Sequence, residues 1–340
     1  MNSFLLSFII PCYNVEKFLQ QCLDSIYACD LSEDQYEVLC INDCSLDNVQ
    51  EILEQNQRHH DNLRIIVYEK KLGPGGARNT GIREARGKYL WFVDSDDFVT
   101  AKELKTLTQK TIEQGLDVLC FNYRRVDVEG RELSIHRVFK DTPALDGYSF
   151  VKSVFGKGIV YHMGYVVRFL YRTEYLRSHR FFFPEHVLWE DTVYMPKAIL
   201  AAERVAAVSD VLYSYRVNAN SVSGTFGSAY PASSIFEFAF CAGGDLLRFS
   251  DEVSDEVLSL AFRDTAIKKY INGFAIFLLR TGKSERSRFY QMLKTRKEEI
   301  IPLKPYMNWK SRAMLMPVVG PVATDILSLW YKKTHPRKHV

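Results

Sequence analysis

Residues 89–97 place the strongest constraint on what this chain of 340 residues can fold into. An apolar run, Tyr-Leu-Trp-Phe-Val, ends abruptly in Asp94, Ser95, Asp96 and Asp97. The run predicts a buried strand, and its carboxyl end is the edge where open α/β sheets bind ligands. Because hard divalent cations prefer carboxylate oxygens, Asp94 and Asp96 are predicted to bind such a cation. An acidic turn that caps the next helix is the alternative.

Strand-like and helix-like segments alternate through the first third of the chain. Strands are predicted at residues 4–10, 36–41, 63–68 and 89–93, with helices from about residue 16, from about residue 49 and at 76–86. This order predicts an α/β fold with a mainly parallel, Rossmann-like sheet flanked by helices. Residues 118–139 predict further strands with a turn at Glu129-Gly130, and the helical periodicity of residues 235–249 and 256–279 predicts a C-terminal helical extension.

Composition and charge narrow the class of protein. A hydrophobic content of 47% and a charged content of 25% are typical of a globular protein, and a net charge of +3 is too small to indicate nucleic acid as a partner. Most of the cysteines fall in the first 120 residues without the paired spacing of a zinc site, which predicts buried thiols in a reducing compartment. Residues 1–10 predict a first strand and no export signal, so we expect a cytoplasmic protein.

Polar residues follow the first two predicted strands. In the segment from Pro11 to Asn14, Tyr13 can stack on a nucleobase and Asn14 can cap the helix that begins near Glu16. After the second strand, the Asp43 carboxylate can accept a hydrogen bond from a uracil imide or a ribose hydroxyl. Taken singly, each segment is more typical of a helix cap or a turn than of a ligand site.

A glycine-rich segment precedes the third predicted helix. Residues 73–79 read Gly-Pro-Gly-Gly-Ala-Arg-Asn, so the backbone can approach a ligand closely while Arg78 and Asn79 stand at a helix start, an arrangement that suits an anion. The dinucleotide fingerprint is absent because Arg78 stands where its last small residue should be, and there is no phosphate-binding Gly-Lys-Ser loop. A flexible connector between strand and helix is the alternative interpretation.

These segments together resemble family 2 glycosyltransferases with the GT-A fold, over about residues 4–225. The resemblance lies in residues 11–16 (Pro-Cys-Tyr-Asn-Val-Glu), 42–47 (Asn-Asp-Cys-Ser-Leu-Asp), 76–81 (Gly-Ala-Arg-Asn-Thr-Gly) and 93–97 (Val-Asp-Ser-Asp-Asp). Residues 189–192 are similar to the family's Glu-Asp motif, and Tyr215-Arg216 with residues 221–223 to its Tyr-Arg to Ser-x-Ser segment. Asn42 and Cys44 depart from a frequent Asp and a frequent Gly.

The resemblance implies an inverting hexosyl- or N-acetylhexosaminyl-transferase that uses a nucleotide diphosphate sugar, UDP-linked, with Mg²⁺ or Mn²⁺. Asp94 and Asp96 would hold the metal, which absorbs negative charge on the departing diphosphate. Asp191 would act as general base on the acceptor hydroxyl. Adjacent helical side chains point in different directions, so only one of Glu190 and Asp191 should face the sugar. Alternatively, both are acidic residues at the start of a helix over residues 192–200.

The predicted catalytic and donor-binding residues are spread over the whole region of resemblance. Catalytic candidates are Asp191 and Glu190, and donor-binding candidates are Pro11, Tyr13, Asn14, Glu16, Asp43, Arg78, Asn79, Asp94, Ser95, Asp96 and Arg216. Arg216 suits the diphosphate, although a surface arginine is equally compatible with its position. An acceptor platform of Met163, Tyr165 and Trp189, with His162 and His186 near the metal or acceptor, competes with plain core and structural roles for these residues.

Domain organisation and partners follow from the same interpretation. We expect a nucleotide-sugar-binding half at residues 1–100, an acceptor-binding half at 101–229 and a helical region at 230–340. The acceptor is expected to be a glycan or lipid-linked saccharide in cell-surface polysaccharide biosynthesis. The apolar stretch at residues 314–330, flanked by cations, fits either peripheral contact with an anionic membrane at the inner face of the cytoplasmic membrane or packing on the catalytic domain. A nucleotidyltransferase and a non-catalytic sugar-nucleotide-binding protein are the alternative functions.

Overall fold

The chain forms two compact units. The computed structural model describes residues 4–100, 102–155, 164–185, 190–218, 232–280, 295, 298 and 301–306. The first unit comprises residues 1–156, 162–186 and 190–218, and the second comprises residues 157–161, 187–189 and 219–340. All the predicted metal, donor-binding and catalytic residues belong to the first unit. The predicted division of that unit into a donor half and an acceptor half stays a prediction.

The first unit is built on one mixed sheet with helices. Its strands are β1 (Leu6–Cys12), β2 (Tyr36–Asn42), β3 (Leu63–Val67), β4 (Tyr89–Phe92), β5 (Phe98–Val99), β6 (Val118–Val126), β7 (Glu132–His136), β8 (Phe169–Arg172) and β9 (Val205–Arg216). Its helices are α1 (Glu16–Tyr27), α2 (Val49–Gln57), α3 (Gly73–Glu84), α4 (Leu104–Glu113), α5 (Gly147–Phe155), α6 (Thr173–Ser178) and α7 (Glu190–Leu200). A short 3₁₀ helix, Val166–Arg168, precedes β8.

The strands run in the order β3-β2-β1-β4-β8-β6-β9-β5 across the described sheet, with β7 paired to β6. The first four strands pair in parallel, as predicted, and so do β6 and β9. The pairs β4–β8, β6–β8, β6–β7 and β5–β9 are antiparallel, so the second half of the sheet is mixed. The apolar pattern of a strand does not indicate whether its neighbour in the sheet runs parallel or antiparallel to it. Antiparallel strands can be joined by a short turn or by a long connection, so the length of a connection does not decide the direction either.

Two helix starts differ from the predicted ones. Helix α3 begins at Gly73 rather than at residue 76, because Pro74 fits the first helical turn, where no backbone N–H is needed. The glycine-rich segment is therefore the start of the helix and not a flexible connector. A side chain at Gly75 would meet the Pro184 carbonyl oxygen at 2.6 Å, so its absence lets α3 pack closely on that segment. Helix α7 begins at Glu190, which places Asp191 in its first turn.

Trp91 on β4 forms the centre of the aromatic core. Its ring is fully buried, lies 5.7 Å from Phe8 and 5.0 Å from Phe121, and its Nε1 donates a hydrogen bond to the Val167 carbonyl oxygen at 2.7 Å. These contacts join β4 to β1, to β6 and to the 3₁₀ helix. The strand that leads into the Asp94–Asp97 turn is therefore fixed from three directions.

A buried carboxylate fixes the opposite end of the same strands. Glu37 on β2 is fully buried and accepts hydrogen bonds from Ser7 Oγ at 2.7 Å, from Arg64 Nη1 at 3.0 Å and from the backbone N–H of Arg86. Burial of a carboxylate is favourable only when its oxygens are paired in this way. Glu37 thus joins β1, β2 and β3 to the segment that precedes β4.

The second unit is helical where it is described. Helices α8 (Ala232–Glu252) and α9 (Glu256–Arg280) confirm the predicted helical extension and are joined by aromatic contacts, with Phe240 and Tyr270 at 4.5 Å and Phe249 and Phe262 at 5.1 Å between ring centroids. A 3₁₀ helix, Ile301–Tyr306, follows. Every helix within the described ranges is too short or too polar to cross a lipid bilayer. The stretch predicted to contact a membrane, residues 314–330, lies outside the described residues.

We expect Glu37→Ala to lower the free energy of unfolding by about 2 kcal/mol, because it leaves the buried Ser7 hydroxyl and the partly buried Arg86 N–H without this acceptor. Glu84→Ala is the matched control, since Glu84 binds the same Arg64 from a half-exposed position and should change stability by less than about 0.5 kcal/mol. Urea unfolding of both variants measures the difference. Equal effects would show that Glu37 does not hold the sheet.

Candidate functional site

The Asp94–Asp97 turn closes on itself and on β9. The Asp97 N–H donates to the Asp94 carbonyl oxygen at 3.0 Å, and the buried Asp97 carboxylate accepts from Tyr213 Oη at 2.6 Å and from the Arg216 N–H at 2.7 Å. The Asp94 N–H donates to the same Tyr213 oxygen at 3.2 Å. Asp97 therefore braces the turn, while the side chains of Asp94 and Asp96 remain partly exposed.

The three carboxylates of this turn are electrostatically crowded. Burial, and after it the charge of Asp94, raises the pKa of Asp96 to about 6. Burial, and after it the charges of Asp96 and Asp94, raises the pKa of Asp97 well above its ordinary value. A bound cation would relieve this repulsion, because opposite charge stabilises the ionised form.

The residues present fit a divalent cation that takes part of its coordination from the substrate. Asp94 and Asp96 offer two oxygen ligands of the kind that Mg²⁺ and Mn²⁺ prefer, and such sites commonly leave other positions to phosphates and water. In the part of the chain that the structure describes, no group of three or more His, Cys, Asp or Glu side chains could hold a metal ion. The predicted metal role of this pair stays a prediction.

Arg78 connects the turn to helix α7. Its Nη2 donates to Asp94 Oδ1 at 2.7 Å and its Nη1 donates to Glu190 Oε1, while the guanidinium is buried. Burial alone would lower the pKa of Arg78, but the charges of Asp94 and Glu190 raise it overall. One fixed cation thus holds a strand-end carboxylate and a carboxylate from the predicted Glu-Asp motif side by side.

The two carboxylates at the start of α7 have different surroundings. Glu190 is buried in its ion pair with Arg78, whereas Asp191 is partly exposed and its Oδ1 accepts from Thr192 Oγ1 at 3.4 Å. This difference agrees with the prediction that only one of them faces a ligand. It favours Asp191 for that position.

Asn14 does not cap helix α1, contrary to the prediction. The helix has Val15 at its N-cap position without a side-chain capping hydrogen bond. The Asn14 side-chain oxygen instead accepts a hydrogen bond from the Leu46 N–H at 2.8 Å. The backbone N–H of Asn14 donates a hydrogen bond to Ser45 Oγ at 3.2 Å. Asn14 has a φ of +51°, a left-handed conformation that asparagine tolerates better than most residues, and this turns its side chain toward the neighbouring loop.

Further donor-binding candidates join the strand-end loops to one another. Glu16 accepts from Asn48 Nδ2 at 2.8 Å, and its N–H donates to Asp47 Oδ2 at 2.9 Å. The buried Ser95 hydroxyl donates to the Pro11 carbonyl oxygen at 2.7 Å. These bonds position the loops after β1, β2 and β4 relative to one another, whatever ligand the loops bind.

Asp43 holds the start of helix α3. Its buried carboxylate accepts from the N–H groups of Leu72 and Gly73 at 2.7 and 2.8 Å. The next residue, Cys44, has a φ of +63°, and its Sγ donates to the Tyr68 carbonyl oxygen at 3.0 Å. The left-handed conformation explains why glycine would suit this position, since a β-carbon there costs about 1 kcal/mol.

Tyr13 already has a cation on its ring. Lys71 Nζ lies 3.3 Å from the ring centroid of Tyr13, and the tyrosine is 38% exposed. A nucleobase that stacks on this ring must use its other face or displace the ammonium group. Lys71 was not among the predicted site residues, because nothing in the sequence relates it to Tyr13.

Asn79 and Arg216 have buried side chains that hydrogen-bond within the fold, and their predicted donor-binding roles stay predictions. Asn79 is buried and exchanges hydrogen bonds with the backbone of Phe183, at 2.7 Å to its N–H and 3.0 Å to its carbonyl oxygen. Arg216 is also buried, and its guanidinium donates to the Asp96 carbonyl oxygen at 2.8 Å and to Gln21 at 2.7 Å.

Sequence reasoning also missed Tyr213, whose hydroxyl binds both ends of the carboxylate turn. Its position two residues before Tyr215 on β9 is a signal that strand periodicity could have supplied. Of the proposed acceptor platform, Tyr165 is described. The other residues named for the acceptor side, His162, Met163, His186, Trp189 and residues 221–223, lie outside the described residues.

Comparison with known proteins identifies the family and the fold of this chain. Residues 7–180 match the model of glycosyl transferase family 2. The uncharacterized glycosyltransferase EpsJ of Bacillus subtilis is 32% identical over 64% of this chain, and the poly(ribitol-phosphate) beta-N-acetylglucosaminyltransferase TarS of Staphylococcus aureus is 32% identical over 62%. The matched segments span only 63% of EpsJ and 35% of TarS.

Solved structures resemble this chain over most of its length. TarS residues 1–349 in complex with UDP superpose with a TM-score of 0.67 at 23% identity, over 97% of this chain and 90% of that one. The mannosyltransferase PcManGT of Pyrobaculum calidifontis, solved with GDP-Man and Mn²⁺, gives a TM-score of 0.55 at 15% identity, over 96% and 88% of the two chains. The predicted GT-A type fold is thereby confirmed.

Charge repulsion at Asp96 and hydrogen bonding at Asp97 predict opposite effects on stability for substitutions at these two residues. Without divalent cations near neutral pH, Asp96→Ala should raise the free energy of unfolding by about 1 kcal/mol, because a repelled carboxylate is removed. Asp97→Ala should lower it by about 2 kcal/mol, because the Tyr213 and Arg216 donors lose their acceptor. Urea unfolding checks both. Equal destabilisation would identify Asp96 as a structural turn residue.

Proposed function

Because the chain belongs to glycosyl transferase family 2, we propose that it is an inverting enzyme that transfers a sugar from a UDP-linked donor to a hydroxyl of a glycan or lipid-linked acceptor. The observation that carries this proposal is the Arg78 bridge, which brings the partly exposed Asp94 beside the start of helix α7. A carboxylate proposed for the donor side, Asp94, is thus held close to the helix start that carries the carboxylate proposed for the acceptor side, Asp191. The relatives named as poly(ribitol-phosphate) glycosyltransferases support assembly of a cell-surface polymer as its setting.

Asp94 and Asp96 are the residues that would hold Mg²⁺ or Mn²⁺. When bound, the cation supplies positive charge beside the departing diphosphate. Arg78 keeps the Asp94 carboxylate in a fixed orientation, and Asp97, through Tyr213 and Arg216, keeps the turn from moving. The Mn²⁺ in the mannosyltransferase structure supports this assignment.

Asp191 is the proposed general base. In a single displacement the acceptor oxygen forms a bond to the anomeric carbon while the bond from that carbon to the diphosphate oxygen breaks, and the hydroxyl proton passes to the Asp191 carboxylate. Glu190 cannot replace it without giving up its ion pair with Arg78. In this scheme Glu190 positions the helix start and Asp191 acts on the acceptor.

The nucleotide is proposed to lie over the ends of β1 and β2. Tyr13 would stack on uracil after Lys71 leaves its ring, and Asp43 would accept from the imide or the ribose with lone pairs not used by Leu72 and Gly73. The UDP complex of TarS supports a uridine donor. The division into a donor half at residues 1–100 and an acceptor half at 101–229 belongs to the same proposal, as do the cytoplasmic location and the peripheral membrane contact through residues 314–330.

The metal assignment predicts that UDP binding depends on both aspartates. Asp94→Ala and Asp96→Ala should each weaken Mn²⁺-dependent UDP binding by about tenfold or more, as should EDTA. Isothermal titration calorimetry with and without Mn²⁺ measures this. Glu84→Ala is the control for loss of one carboxylate and should bind as the native chain does. Unchanged binding in both aspartate variants would refute the assignment.

The base assignment predicts a separation of binding from transfer. Asp191→Asn should keep UDP affinity within about twofold and lower sugar transfer by about 100-fold or more, because the amide cannot accept the proton. Incubation with radiolabelled UDP-sugars and an extract of cell-envelope glycans and lipids measures transfer. Glu190→Gln is the comparison variant, and it should also weaken donor binding because the Arg78 ion pair is lost. Full transfer by Asp191→Asn would reassign the base.

A further inference from the structure

Four aromatic side chains from four segments meet on the acceptor side of the first unit. Tyr123 on β6, His136 at the end of β7, Tyr165 before the 3₁₀ helix and Tyr215 on β9 form this group, called the aromatic cluster below. The ring centroids of Tyr123 and His136 are 4.8 Å apart in a stacked arrangement, and Tyr165 lies 5.6 Å from Tyr123 and 6.4 Å from Tyr215. Tyr123 is buried, whereas the other three rings are partly exposed.

A buried cation lies behind the cluster. The Arg168 guanidinium is 1% exposed and lies 5.4 Å from the Tyr123 ring centroid and 5.5 Å from that of Tyr165. Such cation–π contacts favour fixed ring positions. Burial lowers the pKa of Arg168. Because Arg168 is buried, it cannot serve as a surface contact for a phosphate.

Sequence neighbours of the cluster residues contact the elements that carry the proposed catalytic residues at two points. A β-carbon placed on Gly164 would lie 3.5 Å from Thr192 Oγ1 and 3.9 Å from its Cα, so the residue before Tyr165 packs against the residue after Asp191. Tyr215 directly precedes Arg216, whose N–H donates to Asp97 at 2.7 Å. Residues directly adjacent to Tyr165 and Tyr215 in sequence therefore contact the start of helix α7 and the carboxylate turn.

We propose that the aromatic cluster is an acceptor subsite for a neutral pyranose ring, so that the acceptor is a sugar and not a polyol phosphate chain. A pyranose has an apolar C–H face and a rim of hydroxyls, and the tyrosine and histidine side chains likewise present a flat apolar body with a polar tip. A polyol phosphate has no such face. The identity of this acceptor rests on the proposed function, since a subsite for an acceptor presupposes transfer.

The experiment measures binding of neutral disaccharides and of a polyol phosphate to the full chain. N,N′-diacetylchitobiose, cellobiose and a synthetic ribitol-phosphate trimer are titrated by saturation-transfer NMR. Tyr165→Leu and Tyr215→Leu should each weaken binding of a disaccharide by about fivefold, the loss expected for one aromatic contact. Tyr165→Phe and Tyr215→Phe, which keep the ring, should restore most of the affinity.

Tyr27→Leu is the matched control. Tyr27 stacks on His60 with ring centroids 3.5 Å apart at the far end of α1, so this variant removes a similar ring pair away from the cluster and should leave disaccharide binding unchanged. UDP affinity with Mn²⁺, measured on the same samples, reports folding and the donor site. Disaccharide binding that is absent or insensitive to the leucine variants, or trimer binding that is weakened by them, would overturn the subsite.

The two proposals can fail separately. Loss of disaccharide binding in the leucine variants with intact UDP binding supports the subsite. Native UDP binding together with no disaccharide binding refutes the subsite and leaves the proposed donor site in place. Disaccharide binding at the cluster in a chain that binds no UDP would refute the transferase function while leaving a sugar site.

Discussion

The ion pairs of Arg78 with Asp94 and Glu190 determine the geometry of the candidate site. A buried guanidinium that binds one carboxylate from the end of β4 and another from the start of α7 fixes the distance between those elements. If either carboxylate were removed, the remaining buried charges would lose compensation, a change that usually costs several kcal/mol. The bridge therefore gives structural rigidity and holds a carboxylate from the end of β4 beside one from the start of α7.

The sequence predicted the location of the carboxylate turn because that information is local. An apolar strand followed by acidic residues places Asp94 and Asp96 at the sheet edge whatever the rest of the chain does. The hydrogen-bond partners of Asn79 and Arg216 could not be predicted in the same way. Asn79 hydrogen-bonds to Phe183, which is 104 residues away in the sequence, and Arg216 hydrogen-bonds to Asp96, which is 120 residues away. Which distant residue meets a polar side chain depends on tertiary packing, and one sequence does not encode that in any short pattern.

The strand-end loops contain locally strained features, and hydrogen bonds between the loops hold them in place. Cys44 has a left-handed backbone and two of the carboxylates in the turn have raised pKa values, features that reduce stability. Hydrogen bonds between the loops, such as those of Asn14 with Leu46 and of Ser95 with Pro11, hold this arrangement in place. Unfavourable features commonly persist at binding sites, where surrounding structure over-determines them. Their concentration at one sheet edge is thus a physical sign of a ligand site that does not depend on resemblance to any family.

The clamp formed by Tyr213 and Arg216 has a consequence for how the protein is made. The acidic turn is complete in the chain by residue 97, but the hydroxyl and backbone donor that brace it come from the end of β9. On the ribosome, the N-terminal strands can begin to pair while this turn still lacks its support. The nascent chain therefore completes the bracing of this turn only after β9 has emerged, even though the motif of the turn is synthesised early.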